Sequence, residues 1–344
     1  MQSISMKQTK TVSVNKIKTL KGLAVSALVA SLLTAGVSVQ AAGKDNVFPG
    51  KWLSSTALQL TPPPEGREGY CLGSRGNEVI TTHGLAGGDT GDVRIYDIAA
   101  DTWRNGTSSP NPRSEGVGVT QDGLVYCLGG RNAGVVSLVE AYDPASDMWA
   151  TLAAMPTARA GLAAAVKGSK IYTFGGNAFG SGPCSGAALN VAEMYDIPTD
   201  TWSLITPPPI PVSHALAERK GGKIYLIGGC SASGTVLNPS PVQIYNPNTD
   251  TWMMGTPMPT PRASFALGTL GNTLYAMGGW DEFTGNLSVV EAYDVDKDMW
   301  SGPLTPKTTA SSENFAASHG GALYVVGSGS FGIATRVLEA FKRK

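Results

Sequence analysis

The chain has 344 residues, of which 42% are hydrophobic and 15% are charged, and its formal net charge is zero. This apolar content can fill a sizeable core, which excludes a disordered or fibrous charged chain. Five of the 26 basic residues are lysines before position 42, which leaves 21 basic against 26 acidic groups in the rest. A mildly acidic body without a basic stripe gives no electrostatic reason to bind nucleic acid.

The N-terminus has the features of a secretory signal peptide. The early lysines are followed by the apolar segment GLAVSALVASLLTAGVSV and then by the small-residue pattern Val39-Gln40-Ala41. This order predicts cleavage after Ala41 or Ala42 and export to the periplasm or the cell exterior. An uncleaved membrane anchor is the alternative, because about 18 apolar residues approach the minimum for a span. We expect residues 1–41 to be removed, residues 42–344 to form the mature chain, and no membrane span to remain.

A tryptophan recurs about every fifty residues and defines an internal repeat. Five near-copies of one phrase end in it: IYDIAADTW, AYDPASDMW, MYDIPTDTW, IYNPNTDTW and AYDVDKDMW. In each copy a tyrosine precedes the tryptophan by seven residues, with Asp, Asn or Pro between them. Because these residues form turns, the phrase predicts a tight hairpin with the tyrosine and the tryptophan on its two strands.

Another strand precedes each hairpin and ends in small residues. Its clearest versions are VYCLGG at 125–130, IYTFGG at 171–176, IYLIGG at 224–229 and LYAMGG at 274–279. Gly- and Ala-rich apolar runs come before these strands, joined to them by short polar turns. No segment has a sustained helical period, so four short strands per repeat predict an all-β fold. A four-strand repeat of this length favours a β-propeller over a sandwich or a barrel.

The two ends of the repeat array complement each other. VLEAF at 337–341 has no outer strand after it, and Trp52 lies in an outer-strand pattern with no inner strands before it. Pairing the two would complete a blade and remove the open seam of an unclosed array. We therefore expect a six-bladed propeller of four-stranded antiparallel blades, closed by pairing of the N- and C-terminal strands.

These features resemble the Kelch repeat family over essentially the whole mature chain. The Gly pairs and the Tyr-x6-Trp spacing carry the resemblance. The departures are His83-Gly84 and Gly327-Ser328 in place of Gly pairs, and the missing tryptophan of the sixth repeat. The resemblance implies a propeller. It extends distantly to the periplasmic Kelch-type sialic acid mutarotases, which are exported propellers that act on an acidic sugar.

One face of such a propeller is expected to carry the binding surface. The loops between the second and third strands and the connections between repeats emerge there, and those loops vary in length while the hairpin stays constant. Arginines gather on it: Arg67, Arg113, Arg159 and Arg262 at the repeat junctions, and Arg131 after a Gly pair. They could hold a carboxylate by bidentate pairs, or bridge to carbonyls and acids of the adjacent blade. Residues that break the repeat on this face complete the candidate ligand-binding set: His83, His214, Trp280, Asp281, Glu282 and Glu313.

Little in the sequence supports a metal site or a catalytic site. The three histidines stand on different repeats without a ligand spacing, so we expect no metal and no cofactor. Four glutamates each stand two residues before the aromatic position of the hairpin, where we expect them to accept hydrogen bonds at a blade edge rather than to catalyse: Glu140, Glu193, Glu291 and Glu339.

Four cysteines allow two disulfides in three pairings. Cys184 and Cys230 fall in the two longest variable loops, on adjacent blades, so an exported chain is expected to link them. Cys71 and Cys127 lie within strand patterns and are expected to be small buried hydrophobes.

Three functions follow from these observations. The one we favour is an exported, monomeric, non-catalytic module that presents its variable loops to a protein, peptide or glycan partner. The alternative is a mutarotase or epimerase of an acidic sugar held by the arginines at the channel mouth, although the repeats contain no large insertion that would form a lid. The third is an adhesion subunit of a larger surface protein, for which nothing beyond the propeller was found.

Overall fold

The part of the chain that the structure describes contains 26 β-strands and no helix. The structure is a computed structural model that describes residues 50–53, 60–179, 182, 184–328 and 337–343. The signal-peptide prediction for residues 1–41 lies outside them. Within the described residues, no helix long and apolar enough to cross a bilayer is found.

The strands form six antiparallel four-stranded sheets, the blades, each with strands a to d from the channel outwards. Blade 1 contains β2 (Cys71–Arg75), β3 (Glu78–Thr82), β4 (Val93–Asp97) and β5 (Thr102–Gly106). Blade 2 contains β6 (Val117–Gln121), β7 (Leu124–Leu128), β8 (Val139–Asp143) and β9 (Met148–Leu152). Blade 3 contains β10 (Ala163–Lys167), β11 (Lys170–Phe174), β12 (Ala192–Asp196) and β13 (Thr201–Leu204).

The second half repeats the pattern. Blade 4 contains β14 (Leu216–Lys220), β15 (Lys223–Ile227), β16 (Ser240–Asn246) and β17 (Thr251–Met258). Blade 5 contains β18 (Ala266–Leu270), β19 (Thr273–Met277), β22 (Val290–Asp294) and β23 (Met299–Trp300), with the small hairpin β20 (Trp280–Asp281) and β21 (Gly285–Asn286) in its loop. Blade 6 contains β24 (Ser312–His319), β25 (Ala322–Ser328), β26 (Val337–Arg343) and β1 (Gly50–Leu53).

The blades close into a ring, as the sequence predicts. The innermost strands contact one another in the order β2, β6, β10, β14, β18, β24, and β24 contacts β2 again. In blade 6 the N-terminal strand β1 pairs with the C-terminal strand β26, and Trp52 is opposite Phe341. The prediction of six four-stranded blades closed by the two chain ends is confirmed.

The predicted Tyr-x6-Trp hairpin also fixes how neighbouring blades join. The tyrosine and the tryptophan are cross-strand partners, with ring centroids 5.0–5.1 Å apart in blades 1 to 5. The aspartate two residues before the tryptophan has a φ of +51° to +58° and accepts a hydrogen bond from the tyrosine hydroxyl. The left-handed conformation of the aspartate directs its carboxylate towards the preceding blade.

At five seams a single residue is held by both of its backbone groups; Thr256 lies within the outer strand of the preceding blade, and the other four lie beyond that strand. The aspartate accepts its N–H at 2.6–2.9 Å, and the tryptophan Nε1 donates to its carbonyl at 2.8–2.9 Å. We call this arrangement the inter-blade clamp. The clamped residues are Thr61, Thr107, Ala153, Thr206 and Thr256.

The hydrophobic core is divided among the six seams between blades. The seam between blades 5 and 6 has Phe341 where the other blades have the tyrosine, and this ring packs 5.0 Å from the ring of Tyr275. Phe341 is fully buried. Apolar packing therefore holds the one seam where the tyrosine of the clamp is missing.

The Gly pairs allow each blade to approach the next. Gly130 N–H donates to the carbonyl of Arg159 in the following blade at 3.0 Å. A Cβ on Gly129, which has a φ of +62°, would lie 2.5 Å from the same carbonyl oxygen. The pair is therefore a steric requirement of the seam.

The expectation for Cys71 and Cys127 is corrected by a second disulfide. Both residues are buried, but they are bonded to each other, with a Cα–Cα distance of 5.6 Å. Cys71 begins the innermost strand of blade 1, and Cys127 lies in the second strand of blade 2. The strand pattern located each cysteine correctly but did not show that the two face each other across one seam.

Candidate functional site at the channel mouth

The connections between blades and the loops between strands b and c share one face, as expected. Short backbone bridges join them in five blades: Glu68 to Leu85, Ser114 to Arg131, Ala160 to Asn177, Ser213 to Cys230, and Ala263 to Trp280. We call this face the loop face. We call the part of this face around the propeller axis the channel mouth.

Four of the predicted arginines do not line that opening. The side chains of Arg67, Arg113, Arg159 and Arg262 are buried, with at most 5% of their surface exposed. Arg159 is representative: its guanidinium bonds Glu193 Oε2 at 2.7 Å and the carbonyl of Gly175 at 2.9 Å. This corrects the expectation of four guanidiniums around the mouth, and it also places the bridges within each arginine's own blade rather than with the adjacent one.

The acidic partners are the glutamates expected at a blade edge. Glu140, Glu193 and Glu291 lie buried on strand c, inside the sheet, where each pairs with the arginine of its own blade. In blade 6 Glu339 faces Lys307, with Nζ and Oε2 3.9 Å apart. The expectation of a blade-edge position is therefore wrong, because strand c is flanked by strands b and d.

Blades 1 and 4 show how closely these charges are matched. In blade 4 the arginine position holds Val212 and the glutamate position holds Gln243, whose amide bonds both backbone groups of Ile210. In blade 1 Arg94 takes the glutamate position, and the acids come instead from Glu65 and Asp92. At the junction and strand c positions, each buried charge thus has a partner within its own blade.

His83 belongs to the same scaffold. Its Nε2 lies 2.9 Å from Arg113 Nη1, its Nδ1 lies 2.9 Å from Thr82 Oγ1, and its ring meets that of Trp149 edge-on. Burial lowers the pKa of His83 to about 4, so the imidazole is neutral and can accept a hydrogen bond from Arg113.

The mouth itself is surrounded by one residue from each blade, always at the position just before or at the start of strand a. The six residues share a left-handed φ of +50° to +57°. We call them the mouth ring: Gly69, Glu115, Gly161, His214, Ser264 and Glu313.

Backbone hydrogen bonds run around this ring from blade to blade. The N–H of Glu115, Gly161, His214 and Ser264 each donates to the carbonyl of the preceding ring residue, at 2.6–3.0 Å. Asn314 N–H donates to the carbonyl of Ser264 at 3.2 Å, and Gly69 N–H donates to the Glu313 carboxyl. The ring is therefore rigid, and its side chains face a cavity of about 40 Å³.

The side chains of the mouth ring form a buried polar cluster. Burial raises the pKa of Glu313 to about 8, with smaller contributions from the charges of Glu115 and Glu68. Burial also raises the pKa of Glu115. Ser264 Oγ donates to Glu313 Oε1 at 3.3 Å. At neutral pH the Glu313 carboxyl is largely protonated and can itself donate a hydrogen bond.

His214 is the least satisfied group of the cluster. Among the described residues neither ring nitrogen has a hydrogen-bond partner, and burial lowers the pKa of His214 to about 4. The ring lies over Gly161, where an added Cβ would come within 2.6 Å of its Cε1 atom. The glycine thus provides the space that the imidazole occupies.

Loop residues of blades 3 to 5 lie beside the ring. Gly182 N–H donates to Glu115 Oε1 at 2.9 Å, and Cys184 forms the predicted disulfide with Cys230. Trp280 packs against this disulfide. The loops therefore hold one another in place, although no large insertion is present.

The other predicted residues are more dispersed. Arg131 Nη1 lies 3.7 Å from Glu115 Oε1, which makes it the one predicted arginine beside the ring. Asp281 accepts the N–H groups of Phe283 and Thr284 and so shapes its own turn, while Glu282 is exposed at the same hairpin. Their role in binding stays a prediction.

Sequence reasoning missed Glu115 and Ser264. Aligning the six repeat junctions would have found them, because both stand where blades 1 and 3 have glycine. The irregular residues His214 and Glu313 were recognised at this same position.

Comparison with known proteins identifies the family. The Kelch-repeats domain described for KLHDC2, KLHL20 and DRC7 matches residues 153–329, slightly more than half of the chain, and the Kelch motif matches residues 112–156. The chain therefore belongs to the Kelch repeat family, a class of β-propellers. No curated protein matches the chain.

A solved structure shows the same fold. The structure titled "Structure of YjhT" superposes with a TM-score of 0.70 at 18% identity and covers 82% of this chain and 95% of that one. At this identity the likeness shows the fold alone.

The buried ion pairs predict a defined pattern of stabilities. Arg159→Val leaves Glu193 buried without its cation and should lower the free energy of unfolding by about 3–5 kcal/mol. The double variant Arg159→Val/Glu193→Gln reproduces the pair found in blade 4 and should recover most of the loss. Urea denaturation measures the free energy of unfolding of both variants. The control is Arg104→Val, at an exposed ion pair, which should change this free energy by about 0–1 kcal/mol. A double variant as unstable as Arg159→Val would contradict the pairing.

The mouth ring predicts a pH dependence of stability. The pKa of Glu313 rises from 4.5 to about 8 on folding, so the folded chain binds more protons between these values and loses stability as the pH rises through them. Glu313→Gln should therefore stabilise the protein more at about pH 8 than at about pH 5. Melting temperatures across this window measure the effect, with Glu282→Gln as the exposed control. Parallel profiles for wild type and Glu313→Gln would refute it.

Proposed function

We propose that the protein is an exported, non-catalytic binding module that presents its loop face to a protein, peptide or glycan partner. Kelch propellers are in general interaction modules. The observation that carries the proposal is the exposure of large apolar side chains on the loops of alternate blades: Leu85 is 42%, Phe179 is 78% and Phe283 is 93% exposed. Aromatic side chains are typical anchors of binding surfaces.

The rigidity of the loops supports the same function. The Cys184–Cys230 disulfide, the Gly182 hydrogen bond to Glu115 and the packing of Trp280 hold the loops of blades 3 to 5 before any partner arrives. A preorganised surface loses less conformational entropy on binding, so more of the contact energy is available as affinity.

The alternative is an enzyme acting on an acidic sugar. Four of the five arginines proposed to hold the carboxylate are engaged in buried ion pairs, which weakens it, and Arg131 alone stands beside the ring. The cluster of Glu313, Glu115 and His214 favours it, because groups with shifted pKa values serve as general acids and bases. We keep it as the second candidate.

Both disulfides support export, because such bonds form and persist in oxidising compartments. The protein recovered from the envelope or medium of the producing cell should have the mass of a chain that begins at residue 42 or 43, with all four cysteines oxidised. Intact mass spectrometry without reductant measures both properties. A cytosolic protein that keeps residue 1 and four free thiols would refute export.

The loop face is tested by matched exposed residues. Phe179→Ser/Phe283→Ser should weaken binding to a partner captured from the cell envelope by about tenfold or more, because each buried phenyl ring contributes about 1.5–3 kcal/mol. Leu204→Ser is the control, since Leu204 is 76% exposed on an outer strand away from the loops. Equal weakening by the control would contradict a loop-face partner.

The second candidate is tested by the anomeric exchange of sialic acid. Exchange that is faster with the wild-type protein than in buffer, and no faster with Glu313→Gln, would favour the enzyme.

A further inference from the structure

A second cavity occupies the central channel between the inner strands of all six blades. Its volume is about 550 Å³, within the range of about 300–1,000 Å³ typical of small-molecule sites. It shares Leu216 and Phe315 with the small cavity under the mouth ring and extends along the inner strands to Ser318 and Arg219, which are exposed. It therefore opens on the face opposite to the loops.

One carboxyl group in this channel breaks the repeat. Glu218 pairs with Tyr225 on the second strand of its blade, and the equivalent residue of every other inner strand can be read from the same pairing. Those five residues are Gly73, Val119, Ala165, Gly268 and Ala317. The fold thus accepts a small or apolar residue here in five blades, and only blade 4 has an ionisable one.

The surroundings of Glu218 leave this group available to a ligand. Among the described residues, its one hydrogen-bond partner is Thr269, whose hydroxyl donates to Oε1 at 3.2 Å. The side chain is partly exposed to the cavity that it lines. Burial raises the pKa of its carboxyl to about 7, and the charges of Arg219 and Lys220 partly oppose that shift. In the part of the chain that the structure describes, no buried cation compensates Glu218 in the way that arginines compensate the strand c glutamates.

The rest of the lining is backbone and small side chains. Each inner strand is the end strand of its sheet, so one of its edges has no strand partner. Gly73, Gly118, Ala164 and Ala217 are among the residues at the cavity, and such short side chains leave amide N–H and C=O groups accessible there. A wall that alternates donors and acceptors matches hydroxyl groups, because each hydroxyl both donates and accepts.

We infer that the channel binds a neutral, polyhydroxylated small molecule of monosaccharide size, which enters from the face opposite to the loops and is anchored by hydrogen bonds to Glu218. The positive rim formed by Arg219 and Lys220 disfavours an amine, and the Glu218 carboxylate disfavours an acid in the cavity. This site is reached from the face opposite to the loops, so it can be tested independently of the proposed loop-face partner.

Calorimetric titration of the purified protein with glucose, galactose, mannose and glycerol tests the inference, with glucuronate and glucosamine as charged counterparts. At least one neutral probe should bind more tightly than either charged one. Glu218→Gln should weaken that binding by about tenfold, the loss of one hydrogen bond to a charged group. Ser318→Trp, at an exposed position at the channel opening, should block entry without disturbing the core.

Glu78→Gln is the control, because this carboxyl lies on the second strand of blade 1 beside the exposed Arg104, outside the lining of the channel, and the change should leave sugar binding unchanged. The inference is overturned if no neutral probe binds at millimolar concentration, or if glucuronate or glucosamine binds best. It is also overturned if Glu218→Gln and Ser318→Trp both bind the neutral probe as strongly as the wild type does. Loss of partner capture with intact sugar binding would reject only the loop-face function.

Discussion

Five of the six blades each hold the blade before them through the backbone of a single residue. The aspartate and the tryptophan of one hairpin take the N–H and the carbonyl of that residue, and the tyrosine hydroxyl orients the aspartate. Because the clamp uses backbone groups of its target, it also forms at Ala153, whereas the hydroxyls of Thr107 and Thr206 add a second hydrogen bond to the aspartate. The hairpin must therefore keep a constant length, whereas the b–c loops at the other end of the blade are free to change.

Buried charges form a second constraint, and they explain why the arginines were misplaced from sequence. A guanidinium at each repeat junction suits either an open mouth or a buried ion pair, and the sequence alone left both readings open. The partners decide between them: in blades 2, 3 and 5 the junction arginine pairs with a strand c glutamate, in blade 1 Arg67 pairs with Glu65 and Asp92, and blade 4 lacks both the arginine and the glutamate. Among the described residues, Glu313 in the mouth ring and Glu218 in the channel have no such arginine partner and have raised pKa values, and chemistry specific to this chain is expected there.

The architecture could be predicted from the sequence because the same repeat pattern occurs five times. The Tyr-x6-Trp spacing, the Gly pairs and the complementary ends predicted six blades, the face with the loops and the Cys184–Cys230 bond. The sequence was insufficient for contacts across seams, which depend on which side of a strand faces the next blade. The Cys71–Cys127 disulfide arises from that geometry. The burial of the arginines depends instead on contacts within each blade, and the setting of Glu218 depends on the inner strands that line the channel.

The inter-blade clamp is tested most directly by amide hydrogen exchange at the clamped residues. Thr107 is exposed beyond the end of an outer strand, so its N–H should exchange quickly unless Asp147 holds it. We expect slow exchange at Thr107 in the wild type and fast exchange in Asp147→Ala, with unchanged exchange at the distant clamped residue Thr256. Exchange at Thr107 as fast as in an unstructured peptide in the wild type would contradict it.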